Sequence, residues 1–400
     1  MRAGARPLTH TRARTRAAPS GAMNRRPRPH VGALLRAAAV GACLALSLAA
    51  AGAHAATVDG ISDQSLPNWD GSFGTSAFAQ AFRAEWVASG HISYARYVLQ
   101  WNAFANRSEE PYAHYAQEFE RWWADVRSLD LIPVVAFYNY CPAGRVPRAC
   151  ARALPNPASE AAYSAAIEDV LATFRPGAVE AWNEPNDDEV PEALAAGFAN
   201  SVSRWCASNG CTTIAGDFLD ARGAAAYAAR YIGDVDAGQA PPIVNWGMHP
   251  YYALNSSRGG GEAEAIHDEL RGVARTTWIT EIGAYYCDNG VVMGEAQQRA
   301  RAQRLVSELA PKLEASHTFY YEFLRANREQ APCESGKRQE DSALYRPDDG
   351  ARAAASVILE GGAAAHLGGA RERAEYDARL AGAAASRPPA WWSGFSAAIG

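Results

Sequence analysis

The stretch that decides the fold is Ala178–Asn186, which reads A-V-E-A-W-N-E-P-N. Its first five residues form a short and mostly apolar run, and Asn183–Asn186 are polar and turn-forming. A helical pattern follows from Pro191 to Ser208, where apolar side chains recur about every 3.6 residues. An apolar strand that ends in a polar turn and leads into a helix is the repeating unit of an α/β fold.

The same unit recurs along the rest of the chain. Short runs rich in Val, Ile, Tyr and Phe predict buried parallel strands near Val58–Ser62, Ile92–Trp101, Leu131–Tyr138, Ala178–Trp182, Thr212–Asp217, Ile243–His249, Thr277–Glu281 and Thr318–Phe323. Helical spacing predicts helices over Tyr115–Leu129, Ser159–Phe174, Pro191–Ser208, Ala221–Ile232, Glu262–Val273, Glu295–Glu314 and Ala351–Glu360. Eight strands that alternate with helices predict an α/β fold of the (β/α)8 TIM-barrel type. An open doubly wound sheet is the alternative, but it usually carries a Gly-rich turn after its first strand, and this sequence has none there.

Three segments are expected along the chain. Residues 1–55 hold nine arginines and no acidic residue, and they end in an uncharged Ala- and Leu-rich run followed by Ala53-His54-Ala55. A basic start, a short apolar run and small residues at a cleavage site are typical of an export signal. The apolar run is about 15 residues long, whereas a membrane span needs about 20. We therefore expect a secreted protein (with Met23 as a possible true start), a single catalytic domain over residues 56–362, and a helical or irregular tail over residues 363–400.

The charge balance restricts the kind of partner. The full chain has 38 basic and 43 acidic residues, and removal of the leader arginines leaves 29 against 43, a net charge of −14. A strongly negative chain is unsuited to nucleic acid or to an anionic membrane surface. We expect a monomer that binds no nucleic acid, does not insert stably into a membrane, and acts on a neutral or basic substrate.

The cysteines agree with export. Six of them follow the leader: Cys141, Cys150, Cys206, Cys211, Cys287 and Cys333. An even number in an exported chain predicts disulfides, although the pairing is not fixed by the count. Closeness in sequence favours Cys141–Cys150 and Cys206–Cys211, which leaves Cys287–Cys333. Buried free thiols are the alternative, and a zinc site is disfavoured because no Cys-x-x-Cys pair or Cys/His cluster is present.

Polar residues gather where the predicted strands end. Glu184 follows the fourth strand, Glu281 closes the seventh, and His249 and Tyr251 follow the sixth. In a barrel of this kind the catalytic groups lie at the carboxyl ends of the strands, so these side chains should meet at one rim. A carboxylate that closes an apolar strand is costly to bury unless it is paired or used in chemistry.

Two carboxylates at one rim predict the cleavage of a glycosidic bond. A retaining enzyme needs one carboxyl as nucleophile and a second as acid, about 5–5.5 Å apart. The acid must stay protonated near neutrality, and a neighbouring carboxylate favours this by raising its pKa. The nucleophile must stay ionised, for which Arg96 on the second strand is the candidate cation and Tyr251 the candidate donor. Two carboxylates suffice for this chemistry, so no metal or cofactor is expected.

The run Trp182-Asn183-Glu184-Pro185 is similar to the N-E-P motif of glycoside hydrolase clan A, the retaining (β/α)8 hydrolases. In that clan the acid/base Glu follows the fourth strand and the nucleophile Glu ends the seventh, as Glu184 and Glu281 do here. The resemblance covers roughly Gly60 to Ile358. The stretch Asp341–Arg346, which reads D-S-A-L-Y-R, also resembles glycoside hydrolase family 39.

The resemblance to clan A implies a role for each matching residue. Glu184 would be the acid/base, Glu281 would be the nucleophile, and Asn183 would hydrogen-bond the sugar 2-hydroxyl. The remaining matches would support the nucleophile or line the site: Arg96, His249 and Tyr251.

The chain departs from the clan at the end of the eighth strand. The clan usually has a Trp there, which forms the platform under the reacting sugar. Here the strand reads H-T-F-Y-Y-E-F over His317–Phe323, so Tyr321 or Phe323 would have to serve instead. The sugar preference at this position therefore stays open.

Further substrate contacts are expected near the strand ends. The aromatic side chains of Trp101 and Tyr138 are candidates for stacking on sugar rings, and Asp217 is a candidate for either a substrate contact or a structural hydrogen bond. The sequence predicts a secreted retaining O-glycoside hydrolase that cleaves a poly- or oligosaccharide. The alternative is a non-catalytic carbohydrate-binding barrel of the cell surface, and a carbohydrate is the expected partner in both cases.

Overall fold

The computed structural model describes residues 58–63, 92–139, 156–188, 190–235, 241–256, 261–288, 290–323, 333, 341–346, 350–360 and 366–384. Eight parallel strands within these ranges close into a barrel: β1 (Gly60–Ser62), β2 (Tyr94–Gln100), β3 (Ile132–Tyr138), β4 (Ala178–Glu180), β5 (Thr212–Leu219), β6 (Asn245–His249), β7 (Thr276–Ile282) and β8 (Ala315–Tyr320). Each strand pairs with the next one along the chain, and β8 pairs with β1. The predicted (β/α)8 TIM barrel is confirmed.

Helices alternate with the strands and bury their apolar faces against the sheet. They are α1 (Tyr112–Ser128), α2 (Glu160–Phe174), α3 (Glu192–Asn209), α4 (Ala224–Asp234), α5 (Ala263–Leu270), α6 (Glu295–Arg304), α7 (Ala353–Glu360) and α8 (His366–Ala384). A helical turn, Tyr251–Asn255, follows β6 directly. After β7, Cys287–Asp288 pairs with Val291–Val292 in a short antiparallel hairpin.

One predicted helix is interrupted. The spacing predicts a single helix over Glu295–Glu314, but a π-helical turn breaks the α-helical pattern over Leu305–Leu309. Pro311 explains the break, because it has no N–H to donate to the carbonyl of Ser307. The N–H of Ala310 bonds five residues back instead, which is the π-helical pattern.

Two hydrophobic clusters hold the barrel together. The larger one lies between the sheet and its helices and contains large buried rings such as Phe119, Trp122 and Trp182. The smaller one fills one end of the barrel interior and comprises Tyr94, Ile132, Val134, Ala178, Ile214, Trp278, Phe319 and Tyr376. Three of these open their strands, so this cluster marks the amino-terminal end of the barrel. The other end of the interior is left to polar side chains.

Helix α8 packs against the amino-terminal end of the barrel. Its Tyr376 belongs to the smaller cluster and is 4% exposed. The hydroxyl of Tyr94 donates to Glu372 at 2.7 Å, and Arg379 donates to the Pro176 carbonyl at 2.9 Å. The sequence predicts only a helical or irregular tail here, and the described part of that tail is a helix attached to the barrel.

The disulfides Cys206–Cys211 and Cys287–Cys333 are formed, as the sequence predicts. The third expected pair, Cys141–Cys150, lies outside the described residues, and so does the leader of residues 1–55. None of the helices that the structure describes combines the length and the apolar character needed to span a bilayer.

Candidate active site

Most of the predicted site residues meet at the carboxyl-terminal end of the barrel. β2 supplies Arg96, the loop after β4 supplies Asn183 and Glu184, β6 supplies His249, the following helical turn supplies Tyr251, and β7 supplies Glu281. They meet because the carboxyl ends of parallel barrel strands share one rim. The contacts of each side chain decide what it can do.

Glu281 is held by two strong donors. Its Oε2 accepts from Nη1 of Arg96 at 2.5 Å, and its Oε1 accepts from the Tyr251 hydroxyl at 3.0 Å. Ser62, at the end of β1, adds a longer contact of 3.5 Å to Oε2. The Glu281 side chain is 14% exposed. The carboxylate therefore reaches the cleft while both of its oxygens are stabilised from within the barrel.

Arg96 is the buried centre of the site. Its guanidinium is fully buried and donates to Glu180 Oε2 at 2.7 Å, to Asn183 Oδ1 at 2.6 Å and to Glu281. Burial alone would lower the pKa of Arg96, but the carboxylates of Glu180 and Glu281 raise it overall. The guanidinium also donates to the Ser62 hydroxyl at 3.1 Å, so it is a fixed cation whose donors point at four different acceptors.

Glu184 leaves β4 on a left-handed turn. Its φ is 46°, a conformation that costs a non-glycine residue about 1–2 kcal/mol. The turn is held by the Glu184 N–H, which donates to the Asp217 carbonyl at 3.2 Å, and by the Glu184 carbonyl, which accepts from the Asp187 N–H at 3.0 Å. This backbone brings Glu184 Oε1 to 2.8 Å from Nδ1 of His249.

His249 connects Glu184 to the interior of the barrel. Its ring is fully buried, and Nε2 lies 3.1 Å from the hydroxyl of Thr280. That hydroxyl donates to Asp217 Oδ1 at 2.7 Å. Burial lowers the pKa of His249 to about 4. The imidazole is therefore neutral at neutral pH.

The carboxyl groups of Glu184 and Glu281 lie close together, with one oxygen of each within 4.8 Å of the other. A ring nitrogen of His249 lies within the same distance, so by spacing alone these three residues could ligate a metal ion. Both nitrogens of His249 already contact protein groups, and Glu281 already pairs with Arg96. Arg96 is thus the cation that balances the charge of Glu281.

The other predicted contact residues lie at different depths. Asp217 is fully buried beneath His249 and does not reach the cleft. Trp101 follows β2 and is 9% exposed, whereas Tyr138 and Tyr321 are half-buried at the ends of β3 and β8. Only the last two therefore present an appreciable aromatic surface at the rim.

The eighth strand offers one platform candidate instead of two. Tyr321 directly follows β8 and lies near the Tyr251 phenol. Phe323 is fully buried and stacks on Tyr345 with ring centroids 4.5 Å apart. Phe323 therefore packs in the core, whereas Tyr321 keeps part of its surface exposed.

Sequence reasoning missed several polar side chains of the site, namely Ser62, Glu180, Asp188, Asp220 and Thr280. The sequence could have indicated Glu180, because it is a charged residue inside an apolar strand and needs a buried partner. Arg96, a charged residue inside β2, needs one for the same reason, and the two pair with each other. Ser62 and Thr280 carried none, since hydroxyl side chains are ordinary in strands.

Asp220 fixes the turn that carries Tyr251. Its carboxyl oxygens accept from the N–H groups of Tyr252 at 2.8 Å and Ala253 at 2.7 Å, as an N-terminal cap does. Burial raises the pKa of Asp220 to about 6, although these backbone bonds act in the opposite direction. The cap holds the first turn in the place from which the Tyr251 hydroxyl reaches Glu281.

Similarity to known proteins is confined to the fold, and no protein-family model and no curated protein sequence matches the chain. The chain is similar to a glycoside hydrolase of family 5, subfamily 18, from Streptomyces cattleya in complex with GlcNAc, at 14% identity and a TM-score of 0.51, over 77% of this chain and 80% of that one. A variant of that enzyme in complex with Manβ1-4GlcNAc gives a TM-score of 0.50 at 14% identity, over 76% and 80% of the two chains. An endoxylanase of family 10 from a sugarcane soil metagenome gives a TM-score of 0.48 at 11% identity, over 76% and 97%. The chain is thus a (β/α)8 barrel similar in fold to glycoside hydrolases.

Proposed function

We propose that this protein is a secreted retaining glycoside hydrolase that cleaves an O-glycosidic bond in an oligo- or polysaccharide. The observation that carries the proposal is the pair of facing carboxyl groups, Glu184 and Glu281, with oxygens within 4.8 Å of each other. Retaining enzymes place their carboxyls about 5–5.5 Å apart, whereas inverting enzymes leave about 6.5–9.5 Å for a water molecule. The short spacing supports retention, and the N-E-P run supports a place in clan A.

The surroundings of the two carboxyls support different roles. Glu281 pairs with Arg96 and accepts from Tyr251, which suits a nucleophile that must carry negative charge. Glu184 faces the neutral ring of His249, which suits a carboxyl that must carry a proton. Glu184 is therefore assigned as the acid/base and Glu281 as the nucleophile.

The reaction is a double displacement. Glu281 attacks the anomeric carbon while Glu184 gives its proton to the leaving oxygen and the glycosidic C–O bond breaks. Water then attacks the anomeric carbon and gives a proton to Glu184, while the C–O bond to Glu281 breaks and releases the Glu281 carboxylate. Asn183 accepts from Arg96 through Oδ1, so its amide hydrogens are the groups left to bind the sugar 2-hydroxyl.

A neutral glycan is the substrate class that fits the rim. Tyr138 and Tyr321 are half-buried there, and Tyr252 is 48% exposed. Aromatic faces at such positions stack on the C–H faces of sugar rings. The family 5 relative is described with Manβ1-4GlcNAc, so β-mannosides and β-N-acetylglucosaminides come first in a substrate screen. The D-S-A-L-Y-R stretch of Asp341–Arg346 adds family 39 substrates to that screen.

Export is part of the proposal. Residues 1–55 have the arginine-rich start and apolar run of an export leader. The disulfides Cys206–Cys211 and Cys287–Cys333 suit an oxidising compartment. Expression of the full chain with a reporter at its carboxyl end, followed by fractionation, tests this independently of activity: retention of an uncleaved chain in the cytoplasm would contradict it.

The test of the activity is hydrolysis of a panel of 4-nitrophenyl and 2,4-dinitrophenyl glycosides and of polysaccharides. We expect Glu281→Ala and Glu184→Ala each to lower the rate about 10³-fold. Azide should restore activity to both variants, and each should then form a glycosyl azide. The anomeric configuration of that product should be inverted for Glu281→Ala and retained for Glu184→Ala. The matched control is Glu308→Ala, whose side chain is 71% exposed on the outer helical layer.

Two outcomes would contradict the proposal. A first-formed product of inverted configuration, followed by NMR, would exclude the retaining mechanism. Binding to a polysaccharide without release of sugar from any member of the panel would replace the enzyme by its alternative, a non-catalytic carbohydrate-binding barrel.

A further inference from the structure

A line of buried hydrogen bonds runs inward from Glu184. Glu184 Oε1 lies 2.8 Å from Nδ1 of His249, and Nε2 of the same ring lies 3.1 Å from the Thr280 hydroxyl. That hydroxyl donates to Asp217 Oδ1 at 2.7 Å. His249, Thr280 and Asp217 are all fully buried. The direction of each hydrogen bond is therefore set by the protein partners themselves.

The inner end of this line lies against a second carboxyl group. Asp217 Oδ2 and Glu180 Oε1 are buried oxygens that receive no hydrogen bond from the part of the chain that the structure describes. The charge and the hydrogen-bonding capacity of Glu180 both act on Asp217. Two ionised carboxylates placed in this way would repel, whereas one proton between them satisfies both oxygens. Burial, and then the charge of Glu180, raise the pKa of Asp217 well above its usual range, which agrees with a proton held between them.

That proton decides the direction of the next two bonds. Because it lies between Asp217 Oδ2 and Glu180, the other oxygen, Asp217 Oδ1, can only accept from Thr280. A hydroxyl has a single hydrogen, so Thr280 Oγ1 offers only a lone pair to His249. Nε2 of His249 must therefore carry the ring hydrogen and donate it.

A neutral His249 with its hydrogen on Nε2 has a bare nitrogen at Nδ1. A bare nitrogen can only accept, so its contact with Glu184 requires a hydrogen on Glu184 Oε1. We propose that Asp217 and Thr280 are positioning residues that fix this tautomer of His249, and that His249 in turn holds Glu184 as a protonated acid. The consequence for catalysis rests on the proposed function, whereas the tautomer exists with or without turnover.

The arrangement suits both steps of the proposed reaction. The proton moves from Glu184 Oε1 to the leaving oxygen, which also takes the electron pair of the broken C–O bond. The bare Nδ1 of His249 then faces an ionised carboxylate that it cannot stabilise. Glu184 therefore readily takes the proton of the attacking water in the second step, and His249 itself neither gains nor loses a proton.

Other ionisable groups also lie near Glu184 and His249. They are Arg96 on β2, Glu180 on β4, Asp188 in the following loop, Asp217 on β5, Asp220 directly after β5, Tyr251 in the turn after β6 and Glu281 on β7. Burial raises the pKa of Asp188 to about 7 and that of Asp220 to about 6. A pH–rate profile alone would therefore mix several titrations, and a direct observation of the His249 ring hydrogen avoids this.

The test is long-range ¹H–¹⁵N NMR of the full chain labelled with ¹⁵N-histidine, which distinguishes the two neutral tautomers and the imidazolium. His249→Gln identifies the His249 signals among the nine histidines. At about pH 7 we expect the wild type to show the neutral Nε2–H form. The Nδ1–H form, or an imidazolium, would overturn the proposal.

Paired variants test the two positioning residues. Thr280→Val removes the hydroxyl at nearly constant shape, and Thr280→Ser keeps it, so the Nε2–H form should persist in the Ser variant and lose its dominance in the Val variant. An amide offers the same acceptor and donor as a protonated carboxyl. Asp217→Asn should therefore keep the Nε2–H form and Asp217→Leu should lose it. If Thr280→Val or Asp217→Leu does not fold, Thr280→Ser and Asp217→Asn still test the proposal. Loss of the Nε2–H form in either of these two variants would contradict it.

Turnover gives a second measurement. With a 4-nitrophenyl glycoside that the wild type hydrolyses, the alkaline limb of kcat/KM should lie about one pH unit lower in Thr280→Val than in Thr280→Ser, a tenfold difference at a fixed alkaline pH. If the alkaline limbs of the two variants coincide, the hydrogen bonds from Asp217 through Thr280 and His249 do not hold the proton on Glu184. If no glycoside is hydrolysed, the proposed function fails while the NMR result still decides the tautomer.

Discussion

Arg96 is the single residue on which the charge balance of the site most depends. Met in its place keeps much of the stem but leaves Glu180 buried without a cation. Loss of one partner of a buried ion pair typically costs about 3–5 kcal/mol. We therefore expect Arg96→Met to lower the free energy of unfolding in urea by about this amount. The control is Arg107→Met, because Arg107 is 57% exposed and its ion pair with Glu120 lies at the surface. Its loss should lower the free energy of unfolding by at most about 1 kcal/mol. An equal decrease in the two variants would contradict the central role of Arg96.

The contribution of the Tyr251 hydroxyl to the charge on Glu281 can be measured with a variant that keeps the aromatic ring. Tyr251→Phe deletes the hydroxyl that donates to Glu281 Oε1 at 3.0 Å. A hydrogen bond to a charged group contributes about 1.5–3 kcal/mol, so kcat/KM should fall about 10–100-fold. The free energy of unfolding should change by less than about 1 kcal/mol, because the carboxylate reaches the cleft and water can replace the donor. Tyr112→Phe on α1 is the control, and an equal kcat/KM in the two variants would mean that the Tyr251 hydroxyl does not support Glu281.

Individual strands and helices were the predictable part of this molecule. The apolar runs and the helical spacing are local signals, so β4 with its polar turn and α3 behind it follow from consecutive residues alone. The same signals place Glu184 after β4 and Glu281 in β7, and hence at one rim. The contacts between residues far apart in sequence follow only from the closed barrel.

Asp217 illustrates what the sequence cannot specify. It was a candidate for either a substrate contact or a structural hydrogen bond at the end of its strand. β5 runs on to Leu219, and Asp217 is fully buried and accepts a hydrogen bond from Thr280. The register of β5 shifts between Gly216 and Phe218, where Gly216 has a φ of 94° and Asp217 a φ of 51°, and Asp217 lies against Gly247 on the neighbouring strand. A Cβ at Gly247 would stand 1.8 Å from Asp217 Oδ1. The buried position thus depends on a missing side chain on β6, which no local pattern around Asp217 reveals.

Helix α8 is an element whose contribution can be measured separately from the active site. Tyr376 fills the amino-terminal end of the barrel beside Tyr94 and Trp278, opposite the rim that carries Glu184. Truncation of a buried aromatic side chain costs about 3–5 kcal/mol. We expect Tyr376→Ala to lower the free energy of unfolding by about that amount and to leave kcat/KM within about twofold well below the melting temperature. Arg371→Ala on the same helix is the control, because its side chain is 79% exposed, and it should change neither the free energy of unfolding nor kcat/KM appreciably. An equal decrease in stability for the two variants would mean that Tyr376 does not stabilise the barrel.

At the scale of the whole molecule, the barrel separates an apolar end from an ionisable one. Large rings and α8 occupy the amino-terminal end, and the buried acids and Arg96 occupy the carboxyl-terminal end. The apolar end holds the fold together, so the other end can keep charges that are costly to bury. A consequence is that groups at the active-site end should link the stability of the entire chain to pH.

Asp188 is the acid for which this linkage can be isolated. Burial raises the pKa of Asp188 to about 7, although Tyr138 and Trp182 donate hydrogen bonds that act in the opposite direction. In the unfolded chain an Asp has a pKa of about 3.9. Between these values the folded protein binds more protons at Asp188 than the unfolded chain does. The contribution of Asp188 to the free energy of unfolding is therefore fully present below about pH 4 and is lost as the pH rises through about 7.

Asp188→Asn removes this titration, so the comparison with wild type isolates it. The free energy of unfolding of the variant minus that of the wild type should rise by about 2–4 kcal/mol from about pH 4 to about pH 7 and then level off. Urea titrations at intervals of about one pH unit measure it, and the titrations of His249 and Asp220 cancel because both proteins contain them. The neighbouring variant Asp187→Asn is the control, since it makes the same change at an exposed side chain. A difference for Asp188→Asn that does not vary with pH would mean that this carboxyl is ionised in the folded protein across the whole range.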